Sequence, residues 1–276
     1  MQANKKVGMG LRHVHFPEIL ERLEGNPSGL GVDYFEIITE NFFETMGRPR
    51  MVLEKVSEHF PLSFHGVSLS IAGSEDLDFE YLKKVKALEE RFRPFLISDH
   101  LCWTGMEKSN LHNLLPFPYT QEVLKFLIPK ILHVQDYLGR PLMLENLSAY
   151  IGFHESEMTE AQFLGELHKA TGCDLLLDLN NVYVNSFNQN FQVDDWLKHI
   201  PKKAVKEIHL AGFSDMGNFY FDTHSCAVKK PVWDIYDAYS SQYSEAATTI
   251  EWDEDIPNYD VVLEEVLKAR KILENK

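Results

Sequence analysis

Eight short apolar runs punctuate this chain, and most of them stop at, or just past, a side chain that can hold a metal ion. The clearest are Leu62-Ser63-Phe64-His65, Leu96-Ile97-Ser98-Asp99-His100, Leu142-Met143-Leu144-Glu145, Leu175-Leu176-Leu177-Asp178, Ile208-His209 and Thr249-Ile250-Glu251. Runs this short and this apolar read as strands covered on both faces. The full set of strand candidates is 7–12, 34–39, 62–67, 95–102, 141–147, 174–179, 205–211 and 247–252. Segments of helical period alternate with them, at 17–24, 50–60, 78–92, 120–138, 159–170, 193–200, 231–242 and 259–274. Eight βα units predict a closed (β/α)8 TIM barrel, with a doubly wound open sheet as the second choice. A parallel barrel gathers the carboxyl ends of all its strands at one rim, so the pattern aims imidazoles and carboxylates at one point.

No linker, repeat or low-complexity stretch divides the 276 residues, which are read as a single domain, 1–276. Asp78, Thr120 and Thr159 stand where helix N-caps belong, and Gly139 and Gly172 where helices should stop. In the last helix Val262, Val266, Ala269 and Leu273 form one buried stripe. The connections Trp103 to Tyr119, Val182 to Gln192 and Gly212 to Lys230 are long, and in a barrel the loops that follow strands surround the active site. A formal charge of −15 argues against a nucleic-acid partner. Cys102, Cys173 and Cys226 are too scattered for a disulfide framework or a CxxC site, and neither Cys102 nor Cys226 has a dedicated base. With no apolar leader in the first residues and no membrane-length apolar segment, the expectation is a cytoplasmic protein with no membrane partner.

The candidate ligands gain weight from recurrence. His65 or His100 taken alone reads as an ordinary structural histidine, but the two end successive strands. Glu145 and Asp178 end the next two, each after large apolar residues, where a carboxylate needs a cation or hydrogen bonds to offset its burial. Glu145 has two oxygens and can bridge two ions. His209 and Glu251 complete the ring; Glu207 shares a strand face with His209, and the sequence does not say which way that face points. In the seventh loop Asp222-Thr223-His224 places a carboxylate and an imidazole on one side of an extended chain, and Asn181 offers one more oxygen. Glu36, Glu40 and Asn41 are candidates for supporting contacts, His13 and His15 for pocket residues, and His112 lies in the long fourth loop. Mixed nitrogen and oxygen donors suit a transition metal better than magnesium or calcium.

Taken in order, these and further motifs resemble one family. They are Gly8-Met9-Gly10-Leu11-Arg12, Phe35-Glu36-Ile37-Ile38-Thr39-Glu40-Asn41, Ser63-Phe64-His65-Gly66-Val67, Ser98-Asp99-His100-Leu101-Cys102-Trp103 and Asn113-Leu114-Leu115-Pro116. They continue through Leu144-Glu145-Asn146, Asp178-Leu179-Asn180-Asn181-Val182-Tyr183-Val184, His209-Leu210-Ala211-Gly212, Asp222-Thr223-His224 and Ile250-Glu251-Trp252-Asp253. The chain resembles the multinuclear non-heme iron-dependent oxidases, typified by the methanobactin biosynthesis oxidase. That resemblance implies a barrel holding two or three irons, which uses dioxygen to modify cysteine, or another residue, of a ribosomally made precursor peptide. It implies His65 and His100 on one iron, Glu145 bridging, and Asp178, His209 and Glu251 on the second. Asp222 and His224, with Asn181, would hold a third. It also implies a separate protein that delivers the peptide. Phe213, and Ser225-Cys226 after the Asp-Thr-His triplet, depart from the family pattern in the seventh loop. The alternative is a xylose-isomerase-like or endonuclease IV-like isomerase or hydrolase on the same barrel.

Overall fold

All eight predicted strands form, joined by four others in segments read as loops; in chain order the first are β1 (Val7–Gly10), β2 (Phe35–Ile38), β3 (Leu62–Gly66), β4 (Leu96–His100), β5 (Trp103–Met106) and β6 (Ser109–Leu115). They continue as β7 (Met143–Glu145), β8 (Asp174–Asp178), β9 (Val205–Leu210), β10 (Ser214–Asp215), β11 (Tyr220–Phe221) and β12 (Ala247–Ile250). The helices are α1 (Phe16–Gly25), α2 (Arg48–Ser57), α3 (Phe79–Phe92), α4 (Gln121–Leu138) and α5 (Glu160–Thr171), then α6 (Leu179–Asn188), α7 (Val193–Leu197), α8 (Lys230–Tyr239) and α9 (Tyr259–Glu274). This computed structural model describes residues 6–106 and 109–276; the first five residues, part of the segment read above as lacking a leader, lie outside them.

The ring order β1-β12-β9-β8-β7-β4-β3-β2 closes a barrel of parallel strands and excludes the open sheet. β5–β6 and β10–β11 are separate antiparallel hairpins raised at the rim. Two of the expected long loops are therefore partly ordered as hairpins. The third is not a loop: α6 begins at once after Asp178, whose side chain caps it by accepting from the Asn181 N–H. The expected helix at 193–200 shortens to α7, and that at 231–242 ends in a single 3-10 turn, Ser240–Gln242.

The helix signals act as their chemistry dictates. Asp78 accepts from the N–H groups of Glu80 and Tyr81, Thr120 from that of Val123, and Thr159 forms a reciprocal capping box with Gln162. Gly139 and Gly172 end α4 and α5 in the left-handed region. Val262, Val266 and Ala269 are buried, and Leu273 packs partly buried behind them.

Alternation then sorts the strand residues. Phe64, Leu144, Leu177, Ile208 and Ile250 are buried in the apolar layer, each contributing about 1.5–3 kcal/mol. Their neighbours face the barrel interior, which is polar in two tiers. In the lower tier Glu207 accepts from the hydroxyls of Tyr34 (2.8 Å), Thr249 (2.7 Å) and Ser63 (3.0 Å). A side chain at Gly8 would strike the Tyr34 ring at 2.8 Å, so glycine there makes room for this tier. Glu207 and His209 therefore both point inward, and His209 belongs to the upper tier.

Gly66 is a second position set by close approach. A methyl there would lie 2.2 Å from Asp99 Oδ2 and 2.8 Å from the Tyr81 hydroxyl. Gly66→Ala is expected to destabilise the chain by about 1–3 kcal/mol. A urea midpoint equal to that of the parent would contradict this packing.

Candidate metal centre

Two imidazoles at the ends of β3 and β4 converge on one carboxylate oxygen at the end of β7. His65 Nε2 and His100 Nε2 each lie 3.2 Å from Glu145 Oε2. The outer nitrogens fix the tautomers. His100 Nδ1 faces the Gly66 carbonyl at 3.1 Å, which only accepts, so Nδ1 carries the proton. The Ser98 hydroxyl donates to the Phe64 carbonyl and so receives His65 Nδ1–H at 2.8 Å. Burial presses His65 well below its usual range and pushes His100 down to about 4, so both rings are neutral near pH 7. Two bare nitrogen lone pairs thus confront a carboxylate oxygen that burial, reinforced by Asp178 and Glu251, makes costly to ionise. A cation resolves the repulsion.

The second half is richer in oxygen. His209 Nε2 meets Glu36 Oε2 at 2.9 Å, which turns Nδ1 toward Glu251 Oε2 (3.0 Å) and Glu145 Oε1 (3.8 Å). A carboxylate behind an imidazole is the usual way to orient a metal-binding histidine. Asp178 joins from β8; its Oδ1 is taken by the Asn181 N–H, and its Oδ2 is free. Burial works against charge on His209, but Glu36 and Glu251 outweigh it and raise the imidazole well above its ordinary value. Burial pushes Asp178 and Glu36 up to about 7. Glu251 goes the other way: burial opposes its charge, yet His209 and His224 hold it well below the usual carboxylate range.

His224 brings the seventh loop into the same cluster. Its Nδ1 lies 3.2 Å from Glu251 Oε2 and its Nε2 2.7 Å from Asp222 Oδ1. Asp178, His224 and Glu251 offer donor atoms close enough to share an ion. Asp222 sits across the other ring nitrogen and is itself held by the Asn180 amide at 2.7 Å. His224 has φ +46°, a left-handed conformation uncommon outside glycine and found at functional sites.

All nine candidate residues come together at the rim. Donor groupings sharing Glu145, His209 or Glu251 tie His65, His100, Asp178 and His224 into one cluster. Glu145 Oε2, Asp178 Oδ2 and Asn181 Oδ1 are buried without a hydrogen-bond partner, while His209 Nδ1 and His224 Nε2 face carboxylate oxygens of Glu251 and Asp222. Orphaned acceptors beside carboxylate-facing ring nitrogens are the kind of donors a metal ion satisfies, and these residues can hold metal ions.

Several contributors escape sequence reasoning. Arg12 lies buried at the barrel edge, donates from Nε to Asp253 Oδ1 at 2.9 Å, and stands 3.7 Å from Glu251 Oε1. Its partners are more than two hundred positions away, and only its place after Gly8-Met9-Gly10 marked it. Asn146 clamps Asp178 through both backbone groups, at 2.9 and 3.0 Å. Glu40 accepts from Tyr81 and Val67, one layer behind His100, while Asn41 is exposed. His15 bonds the Pro257 carbonyl and His13 is exposed; neither lines the cavity above the metal cluster, contrary to expectation. His112 does line it.

That cavity, of ≈ 510 Å³, is walled by the β5–β6 hairpin, the segment after β7 and the β11 edge. No lysine or arginine lines it among the described residues. No helix among the described residues is long and apolar enough to cross a membrane.

Residues 6–274 match the sequence model of a family described as RiPP precursor modification enzyme MbnB/TglH/ChrH, RiPPs being ribosomally made, post-translationally modified peptides. A UPF0276 protein of Psychromonas ingrahamii is 41% identical over 271 residues, covering 96% of this chain and 93% of the relative. One from Caulobacter vibrioides is 42% identical, covering 95% and 92%. Among solved structures, an L-ribulose 3-epimerase is similar with a TM-score of 0.61 at 13% identity, covering 98% of this chain and 97% of the other. Endonuclease IV from Thermus thermophilus gives 0.58 at 13%, covering 98% and 100%. At such identities the structural likeness shows the barrel alone. The sequence match over nearly the whole chain carries more: this protein belongs to the MbnB/TglH/ChrH family of RiPP precursor modification enzymes.

Proposed function

We propose that this single-domain chain is an iron- and dioxygen-dependent oxidase that modifies cysteine, or another residue, of a ribosomally made precursor peptide. The observation that carries the reading is the facing of two neutral imidazoles on Glu145 Oε2 at 3.2 Å each, beside a second, carboxylate-rich half. His65 and His100 would hold one iron, Glu145 would bridge, and Asp178, His209 and Glu251 would hold the other. His224, with Asp222 and Asn181, would serve a third. Iron in such a mixed nitrogen and oxygen set supplies one-electron redox chemistry with dioxygen.

The chain's own residues do the remaining work. Glu36 and Ser98 orient His209 and His65. Arg12 holds Asp253 and Glu251 in place. The cavity walls admit a peptide side chain and limit the water around it. A separate protein that brings the peptide to the rim, in the cytoplasm, completes the proposal. The formal charge of −15 counts against a nucleic-acid substrate and so against the endonuclease alternative.

Elemental analysis and Mössbauer spectra of protein prepared without oxygen test the reading. About two coupled irons per chain are expected. Stoichiometric zinc or manganese, with no iron after ferrous reconstitution, would favour the hydrolase or isomerase chemistry instead. His100→Ala is expected to lose about one iron and turnover together, by removing one nitrogen donor of the first half. Retained peptide oxidation by that variant would count heavily against the assignment.

A further inference from the structure

A second cavity, of ≈ 420 Å³, opens beside the first, and the segment after β7 is their common wall. Leu147, Ser148 and Tyr150 line the metal-side cavity, whereas Ala149, Ile151 and Phe153 line the other. Phe117, Tyr119, Phe191 and Trp196 give the second cavity aromatic walls. Against them lies Glu160, only 9% exposed. Its Oε1 accepts from the Leu147 N–H at 3.1 Å and the Tyr119 hydroxyl at 3.2 Å, and the Trp196 side chain also bonds the carboxyl. None of these partners is a cation. Lys198, at the cavity edge, is already paired with Asp195 at 2.7 Å. Glu155 and Glu157, both exposed, flank Ser156 on the loop that closes one side.

Aromatic faces carry negative quadrupole density, and they accept the alkyl stem of a long side chain as readily as its charge. A neutral apolar occupant would shut the Glu160 carboxyl, already pushed up to about 7 by burial, further from water with only neutral donors against its charge. A cation balances it, and the acidic edge of a chain of charge −15 draws one in. We propose that this cavity is a recognition subsite for a lysine or arginine side chain of the peptide substrate, seated close to the residue being modified. The identity of the ligand as part of a peptide rests on the function proposed above. The preference for an organic cation rests on the cavity alone. Because the Leu147 N–H bonds Glu160 two positions beyond Glu145, the occupant also touches the segment that carries the bridging carboxylate.

Trp196 supplies the reporter. Protein labelled with 5-fluorotryptophan is titrated with acetyl-Gly-Lys-Gly-amide and with the same peptide carrying norleucine, which keeps the stem and removes the charge. The fluorine resonance of Trp196 is assigned with Trp196→Phe. The lysine peptide is expected to shift that resonance saturably and to bind about tenfold more tightly than the norleucine peptide. Glu160→Gln is expected to abolish the preference. Equal affinities, a Trp196 resonance unmoved by the lysine peptide, or a preference that survives Glu160→Gln would each overturn the proposal. The comparison on the parent protein stands even if Glu160→Gln fails to fold. No metal and no turnover enter the titration, so a failure here leaves the oxidase reading untouched, and a chain without iron leaves this subsite untouched.

Discussion

Glu145→Gln is expected to empty both halves of the metal centre at once, taking iron from about two ions per chain to nearly none, whereas His100→Ala removes about one. Glu145 Oε2 faces His65 and His100, and Oε1 lies 3.8 Å from His209 Nδ1. Glutamine replaces one of those oxygens with an amide nitrogen, which donates hydrogen and does not ligate. The substitution leaves the fold alone, because no hydrogen bond among the described residues ends on the Glu145 carboxyl. Burial disfavours that carboxylate strongly, so a neutral amide relieves a cost. Two opposite effects follow in one variant. Metal binding falls by orders of magnitude, while the chelator-treated variant melts at or above the temperature of the chelator-treated parent. Elemental analysis and thermal melts of the four samples decide it. A variant that keeps both ions, or one that unfolds when stripped, contradicts the bridging role.

Removing the metal from the parent should lower its stability, and by an amount that grows with pH. At free metal about a thousand times the dissociation constant, binding stabilises the native chain by about 4 kcal/mol, or roughly 10 °C in melting temperature at this size. The pH dependence follows from the buried acids. Asp178 and Glu36 are pushed up to about 7 by burial, against about 4 in an unfolded chain. Acids raised in the folded state keep protons that the unfolded chain releases. The contribution of these two acids to the stability of the stripped protein therefore falls as pH rises from about 4 to about 7, then levels off. His209 and His224, raised by their carboxylate neighbours, act in the same direction: their contribution is full below about 6.5 and fades above it. Metal binding demands the deprotonated ligands and so strengthens over the same interval. The gap between loaded and stripped melting temperatures should widen steadily between about pH 5 and about pH 7.5. A gap independent of pH would show that these groups do not exchange protons for metal.

The barrel and its rim were legible because strand ends carry both signals in a few residues. An apolar run that stops at His100 or Asp178 announces a covered strand and its active end together. What escaped detection depends on distant contacts. α6 contains Asn180, Asn181, Asn185 and Asn188, poor helix formers whose side chains usually compete with the backbone. Here they are engaged elsewhere: Asn180 on Asp222, Asn181 on the Asn146 carbonyl, Asn185 on Leu147 and Ala149, and Asn188 on Tyr220. With those side chains occupied, the backbone is free to coil. The β10–β11 hairpin had a local signal in Gly217, at φ +86° with its N–H on Asp215 Oδ1, inside a stretch that otherwise reads as loop. Arg12 had only its place in the Gly8-Met9-Gly10-Leu11-Arg12 motif, because its value lies in meeting Asp253 across the seam between the first and last strands.

The lower tier of the barrel has a consequence for the order of events. Tyr34, Ser63, Glu207 and Thr249 fill the interior beneath the metal centre, each essentially sealed from solvent. Among the described residues, the cavity above the cluster opens at the rim. Under the function proposed above, ions and peptide share that rim, so ions have to be seated before the peptide covers them. A peptide that remains in place then acts as a stopper: chelators should extract metal more slowly from the peptide complex than from the free protein, whatever the affinity of the ions themselves.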